Sequence, residues 1–341
     1  MMVRRRIWGL ILLALLPLIS CGRLPESVGS NHEVMVLIDE EQWPRFRGVL
    51  QGVFEKKVFT AQEENVFTVR RGRPEEFDFY KKWKNLIVLA TFDHPGPTAK
   101  LMEQFLSAEA RERVAGGEAY LFVRTDVWAQ GQEVFFLAAQ TEAELIERMT
   151  ENSAHLFELM ETALNAKITE IIYQQGRQSE LEKRLLESYG WTMKVPQGYT
   201  VVRELPAENF VWIRRQQPQR WIFVHWETSS DVAFTAEECI RWRDRIGEKF
   251  YEGDRIVPDY TVAGETAFAG RRALKIAGIW ENKELLVGGP FRTYCFYDQG
   301  AGRRYMVDAA VHAAGTEKEP YLRQVDLIIG TFSTEPLGDW R

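Results

Sequence analysis

Catalysis near neutral pH starts from histidine, cysteine and paired carboxylates. This chain has five histidines, at positions 32, 94, 155, 225 and 312, and no two have the spacing of ligands to one metal. His225 and His312 fall in predicted strands, and Asp308 lies four residues before His312 on the same strand face. If those strands pair, His225, Asp308 and His312 converge as the acid–base part of an envelope hydrolase. No nucleophile completes that set. Ser229-Ser230-Asp231 reads as a turn, and no G-x-S-x-G, S-x-x-K, H-E-x-x-H or G-x-x-x-x-G-K-[ST] pattern occurs. The simpler reading is a half-buried sheet with scattered polar side chains. The pattern implies no metal and no cofactor, and it points away from an enzyme. Pro95-Gly96-Pro97 opens a helix whose N-terminal N–H groups could hold an anion, or it forms a rigid turn.

The three cysteines are Cys21, Cys239 and Cys295. Cys21 closes a leader-like segment. Arg4, Arg5 and Arg6 are followed by an apolar run from Ile7 to Ile19, and the chain turns polar directly after the cysteine. That run is too short for a membrane-spanning helix, which needs about 20 apolar residues. Leu18-Ile19-Ser20-Cys21 resembles the lipobox of bacterial lipoproteins. The resemblance implies cleavage before Cys21, acylation of its thiol, and anchoring to a membrane through that lipid. Gly22, in place of the aspartate that resembles an inner-membrane retention signal, points to the outer membrane. The sequence Gly22-Arg23-Leu24-Pro25-Glu26 has no acidic cluster of the kind that would direct surface export, so the chain is expected to face the periplasm. Outside the cytoplasm Cys239 and Cys295 can form one disulfide, or remain two buried thiols.

The net charge of −6 becomes −9 once Arg4, Arg5 and Arg6 leave with the leader. No basic run or face occurs, which argues against a nucleic-acid partner and against attraction to anionic lipid head groups. The conspicuous surface candidate is aromatic. Trp212, Trp221 and Trp226 are interleaved with Arg214 and Arg215, residue types that anchor protein interfaces and stack on sugars. Trp221 and Trp226 lie on opposite strand faces, so they cannot both fill one core. This predicts a binding face for an envelope protein or a glycan, against the alternative that the rings fill the interior.

These residues must be positioned by two folded regions. Residues 21–32, rich in Gly, Ser and Asn, read as a short tether after the 1–20 leader. From 33 to 140 the order is strand, helix, strand, strand, helix, then a hairpin, which predicts a ferredoxin-like βαββαβ-type α+β domain. Glu33–Asp39 and Leu86–Phe92 are continuous apolar runs, the mark of strands buried on both faces. Residues 141–189 form a helical segment with capping boxes at Thr141 and Ser179 and a C-cap at Gly190. From 190 to 335 short strands dominate, with one helix after a third capping box at Thr235 and a closing helix at 319–332.

Val195-Pro196-Gln197-Gly198-Tyr199, Gly270-Arg271-Arg272-Ala273 and the closing Ile328-Ile329-Gly330-Thr331-Phe332-Ser333 are similar to the Mog1/PsbP-like fold, which implies an antiparallel α+β sandwich there. Over nearly its full length the chain resembles an uncharacterised lipoprotein family of Bacteroidota. That resemblance rests on the lipobox, the Asn31–Ile38 strand followed by Trp43, the central helices, and Tyr189 to Pro196. It brings no established activity. The expectation is a lipid-anchored envelope module that binds or assembles, with the His225, Asp308, His312 hydrolase as the alternative.

Overall fold

The computed structural model describes residues 24–229, 234–251 and 253–338. Cys21 and the leader lie outside these residues, as do Ser230 and Asp231. The N-terminal half contains β1 (Glu33–Leu37), α1 (Trp43–Phe54), the β2–β3 hairpin (Lys57–Phe59, Glu63–Asn65), β4 (Thr68–Gly72), α2 (Phe77–Tyr80) and β5 (Asn85–Thr91). It continues with α3 (Pro97–Phe105), α4 (Ala108–Ala115), β6 (Leu121–Thr125), β7 (Glu133–Ala139), α5 (Glu142–Glu151) and α6 (Ser153–Tyr173).

The α+β class is as expected, but this sheet is not ferredoxin-like. Its order is β4-β1-β5-β7-β6, with β1, β4, β5 and β7 parallel and only β6 antiparallel. The reason lies in the apolar runs. Val34 and Val36 enter the core under α1, α5 and α6, while Met35 and Leu37 enter a second core under α3. A strand buried on both faces needs helices on both, which is the habit of parallel sheets. The order of elements is compatible with either pairing; the two-sided burial selects this one.

The presumed tether is also part of this half. Ser27 N–H donates to Gln130 O at 3.1 Å, Val28 N–H to Lys82 O at 2.9 Å, and Gln130 N–H to Pro25 O at 2.8 Å. Residues from Pro25 onward are therefore laid along the domain rather than free.

The C-terminal half comprises α7 (Ser179–Tyr189), β8 (Thr200–Leu205), β9 (Phe210–Arg215), β10 (Gln219–Thr228), α8 (Ala236–Phe250), β11 (Arg255–Ile256), β12 (Val262–Phe268), β13 (Arg271–Asn282), β14 (Val287–Asp298), β15 (Arg303–His312) and α9 (Glu319–Ile329). Its sheet is antiparallel, in the order β11-β13-β14-β15-β10-β9-β8 with β12 against β13. Helix α8 covers one face and α9 the other. Thr235 and Glu238 form the predicted capping box of α8. The box predicted at Ser179 does not form: Gln178 is the N-cap, and Glu182 is instead buried against Arg177 and the Val195 N–H. Gly190 ends α7 at φ +76°, the left-handed conformation that favours glycine.

The halves are locked by side chains. Glu64 of β3 accepts from the N–H groups of Lys318 and Glu319, at 2.8 and 2.7 Å, and so caps α9 with a carboxylate. Arg323 of α9 donates to Glu161 and Asn165 of α6. No helix among the described residues is long and apolar enough to cross a membrane.

Candidate functional site at the carboxyl ends of the parallel strands

The residues singled out from sequence are dispersed by the fold. His225, Asp308 and His312 share the α8 face of the C-terminal sheet but form no site. In the β10–β15 register Phe223 faces Asp308, whereas His312 faces Gln219, six residues before His225 and so roughly 20 Å from it along the strand. Asp308 is completely buried and held by Arg243 at 2.7 Å and by the Thr293 hydroxyl. His225 accepts at Nδ1 from the Trp242 indole N–H, at 3.1 Å. Burial, with Arg245 and Lys249 nearby, pushes His225 down to about 4. It is a neutral structural histidine, and the hydrolase arrangement fails on distance and on partners already taken.

The aromatic face also dissolves. Trp221 is buried under α8, and Trp226 is buried on the opposite face against Trp191 and Tyr189. Trp212 is half-buried, edge-on to Tyr251 with the Arg203 and Arg214 guanidinium groups over its ring. Arg215 is half-buried. Because strand side chains alternate, the Trp/Arg run divides between two cores and presents no single surface. Cys239 of α8 and Cys295 of β14 are neighbouring buried thiols with no disulfide between them. Burial, and then the Cys239 thiol, push the Cys295 thiol well above its ordinary value, so it stays protonated.

The site that the fold does assemble lies in the N-terminal half. Strands β1 and β5 are neighbours, but their onward connections diverge. α1 leaves β1 on one face toward β4, and α3 leaves β5 on the other face toward β7. Such a switch point, beyond the carboxyl ends of the strands, is the common position for ligands in open parallel sheets. Asp39 stands just after β1, Thr91 ends β5, and Thr98 lies in the first turn of α3.

Asp39 is only 2% exposed. Its Oδ1 accepts from the Thr98 N–H at 3.1 Å. The anion expected at this helix N-terminus is thus the protein's own carboxylate. A Cβ at Gly96 would fall on that carboxylate, so glycine is required there by space and not by its ordinary φ of −89°. The other oxygen, Oδ2, has no hydrogen-bond partner, and the imidazole Nε2 of His94 stands 3.8 Å away. Gln42 is equally buried. Its amide NH2 donates to Thr91 Oγ1 at 2.8 Å and to Glu142 Oε1 at 3.2 Å, which leaves Oε1 without a donor. The Thr98 hydroxyl is likewise unpartnered. A buried polar atom without a partner costs about 1–3 kcal/mol, so three at one switch point mark a place built to receive hydrogen bonds. Half-exposed His94 stands at its edge. No group of three or more His, Cys, Asp or Glu among the described residues is arranged to hold a metal ion.

Comparison with known proteins adds two domain matches and no activity. Residues 27–172 match DUF8532, a domain of unknown function, and residues 178–331 match DUF4837, another domain of unknown function. No curated protein matches the sequence. Similar solved structures include the Ran-binding protein Mog1p of Saccharomyces cerevisiae, 14% identical over 42% of this chain and 90% of that one, with a TM-score of 0.29. Another is LpqN of Mycobacterium tuberculosis, described as involved in cell envelope biogenesis, 13% identical over 42% of this chain and 82% of that one, with a TM-score of 0.28. The junction between the two matched domains falls between α6 and α7, so α5 and α6 go with the parallel sheet they cover and α7 with the antiparallel one. The chain thus carries a region similar to DUF8532 followed by one similar to DUF4837, each a domain of unknown function.

Proposed function

We propose that this chain is a lipoprotein of the cell envelope, anchored through a lipid on Cys21 in the outer membrane and facing the periplasm, whose folded part binds or assembles rather than catalyses. The observation that carries the binding part is the set of buried, unpartnered polar atoms of Asp39, Gln42 and Thr98 at the switch point. A ligand rich in hydrogen-bond donors, a glycan or a polar segment of an envelope protein, would satisfy the atoms left open there. The anchoring part rests on Leu18-Ile19-Ser20-Cys21 and on where the chain first pairs. Pro25 is four residues beyond Cys21 and hydrogen-bonded to Gln130, which leaves a reach of about 14 Å at most. The edge formed by Trp83 and Gln130 would then lie against the bilayer.

Two measurements test this reading. Mass spectrometry of the native N-terminus should find an acylated Cys21, and Cys21→Ser should leave the membrane fraction; an unmodified N-terminus defeats the anchor. Crosslinking in the native envelope should recover a partner with the wild-type chain and much less of it with Asp39→Ala. Recovery of nothing above background defeats the binding role.

A further inference from the structure

A cavity lies at the junction of the halves, away from Asp39 and built from other elements. It measures about 380 Å³, the size of a small-molecule site, and such sites favour domain interfaces. The β2–β3 hairpin bounds one side with Phe59. The Pro258–Tyr260 turn and the start of β12 bound the other with Tyr260 and Val262, and Leu322 of α9 lines the interior. Phe59, Tyr260 and Val262 are 43%, 55% and 71% exposed, unusual for large apolar side chains, and all three converge on this opening. The Phe59 and Tyr260 rings stack with centroids 5.2 Å apart. The hairpin is fixed in place by Glu64, which caps α9, so the apolar lip is a rigid part of the fold.

The polar group inside is Lys275 of β13. It is half-buried, makes no hydrogen bond or ion pair with any described residue, and lies over the face of Tyr294 at 5.3 Å. The neighbouring charges are engaged with one another, Arg323 with Glu319 and Glu161 of the α9–α6 contact. Arg292 is bonded to Asp326, which also accepts from the Tyr294 hydroxyl at 2.8 Å. Asp259 stands on the rim, exposed to solvent. Among the residues lining the cavity Lys275 is thus a cation without an ion-pair partner, and burial pushes it below its ordinary value while Asp326 and Glu161 oppose the shift.

We propose that this cavity binds a small amphipathic anion: a flat ring seated against Phe59 and Tyr260, with a carboxylate or phosphate on the Lys275 ammonium. The assignment is independent of the function proposed above. Phenyl phosphate, benzoate, phenol and inorganic phosphate, titrated into the folded chain by calorimetry, separate its parts. One of the two ring acids should bind at least about tenfold more tightly than phenol and inorganic phosphate, the scale of one charge-assisted hydrogen bond. Lys275→Met should lower that affinity to the level of phenol, and Lys275→Arg should keep it. Tyr260→Ala, a change at an exposed position that leaves the fold intact, should weaken the ring acid and phenol together. Ring acids that bind no better than phenol overturn the proposal. So does wild-type affinity in a folded Lys275→Met chain or, should that chain not fold, in Tyr260→Ala.

Discussion

In the C-terminal sheet, Asp308 is fully buried, and Arg243 and Thr293 take both of its oxygens' available contacts on one carboxylate edge and the next. In the N-terminal sheet, Asp39 is buried almost as deeply, yet one oxygen has no partner. On the antiparallel side Arg220 donates to Tyr199 and Gln324, and Asp326 accepts from Arg292 and Tyr294. On the parallel side Gln42 and Thr98 leave atoms open beside Asp39. A closed network stabilises and rigidifies; an open one at a switch point receives something else. The Trp and Arg run that is conspicuous in sequence is thus structural, and the unpartnered carboxylate lies in the inconspicuous half.

The sharpest test of that contrast removes one buried carboxylate from each sheet. Asp308→Ala strands the Arg243 cation in the core and should cost about 3–5 kcal/mol of unfolding free energy in urea. Asp39→Asn keeps an oxygen for the Thr98 N–H while relieving an unpartnered charge, so it should change stability by less than about 1 kcal/mol. Equal losses at the two positions would erase the distinction between them.

A second test uses acid. His225 titrates near 4 in the fold, against about 6.5 in the unfolded chain. Between those values the unfolded state binds the extra proton, so stability falls as pH drops from about 6.5 to 4. For this residue the loss approaches roughly 3 kcal/mol by the lower limit. Urea unfolding at pH 7 and at pH 4.5 should show it, and His225→Gln should flatten the profile. A slope that survives that substitution would assign the acid sensitivity elsewhere.

The smallest effect concerns Cys239 and Cys295. A thiol reagent should modify neither in the native chain and both in denaturant, because both are buried. Rapid native labelling would mean that the α8 face opens more readily than its packing implies.

Much of the fold was legible because it is local. The apolar runs at 33–39 and 86–92, the Thr141 N-cap, the capping box at Thr235 and the left-handed Gly190 are written in adjacent residues. The ferredoxin-like expectation failed because pairing between strands is not local: the same element order suits an antiparallel or a parallel sheet. The apolar runs themselves argue against it, since strands buried on both faces call for helices on both. The Trp/Arg face failed because alternation along β10 sends Trp221 and Trp226 to different cores. For the unpartnered atoms at Asp39 there was a partial signal. Pro95-Gly96-Pro97 marked a helix N-terminus fit for an anion, but nothing in the sequence links it to Asp39, more than fifty residues away.

Sequence alone determined the lipobox-like Cys21 segment, the acidic balance, the α+β class and the lack of a nucleophile motif, because each depends on residue type or short spacing. Tertiary structure alone decided which buried charges are closed and which are open. It placed Arg243 on Asp308 and left Lys275 and one oxygen of Asp39 without partners, since satisfaction of a buried polar atom depends on what distant segments bring within about 3 Å.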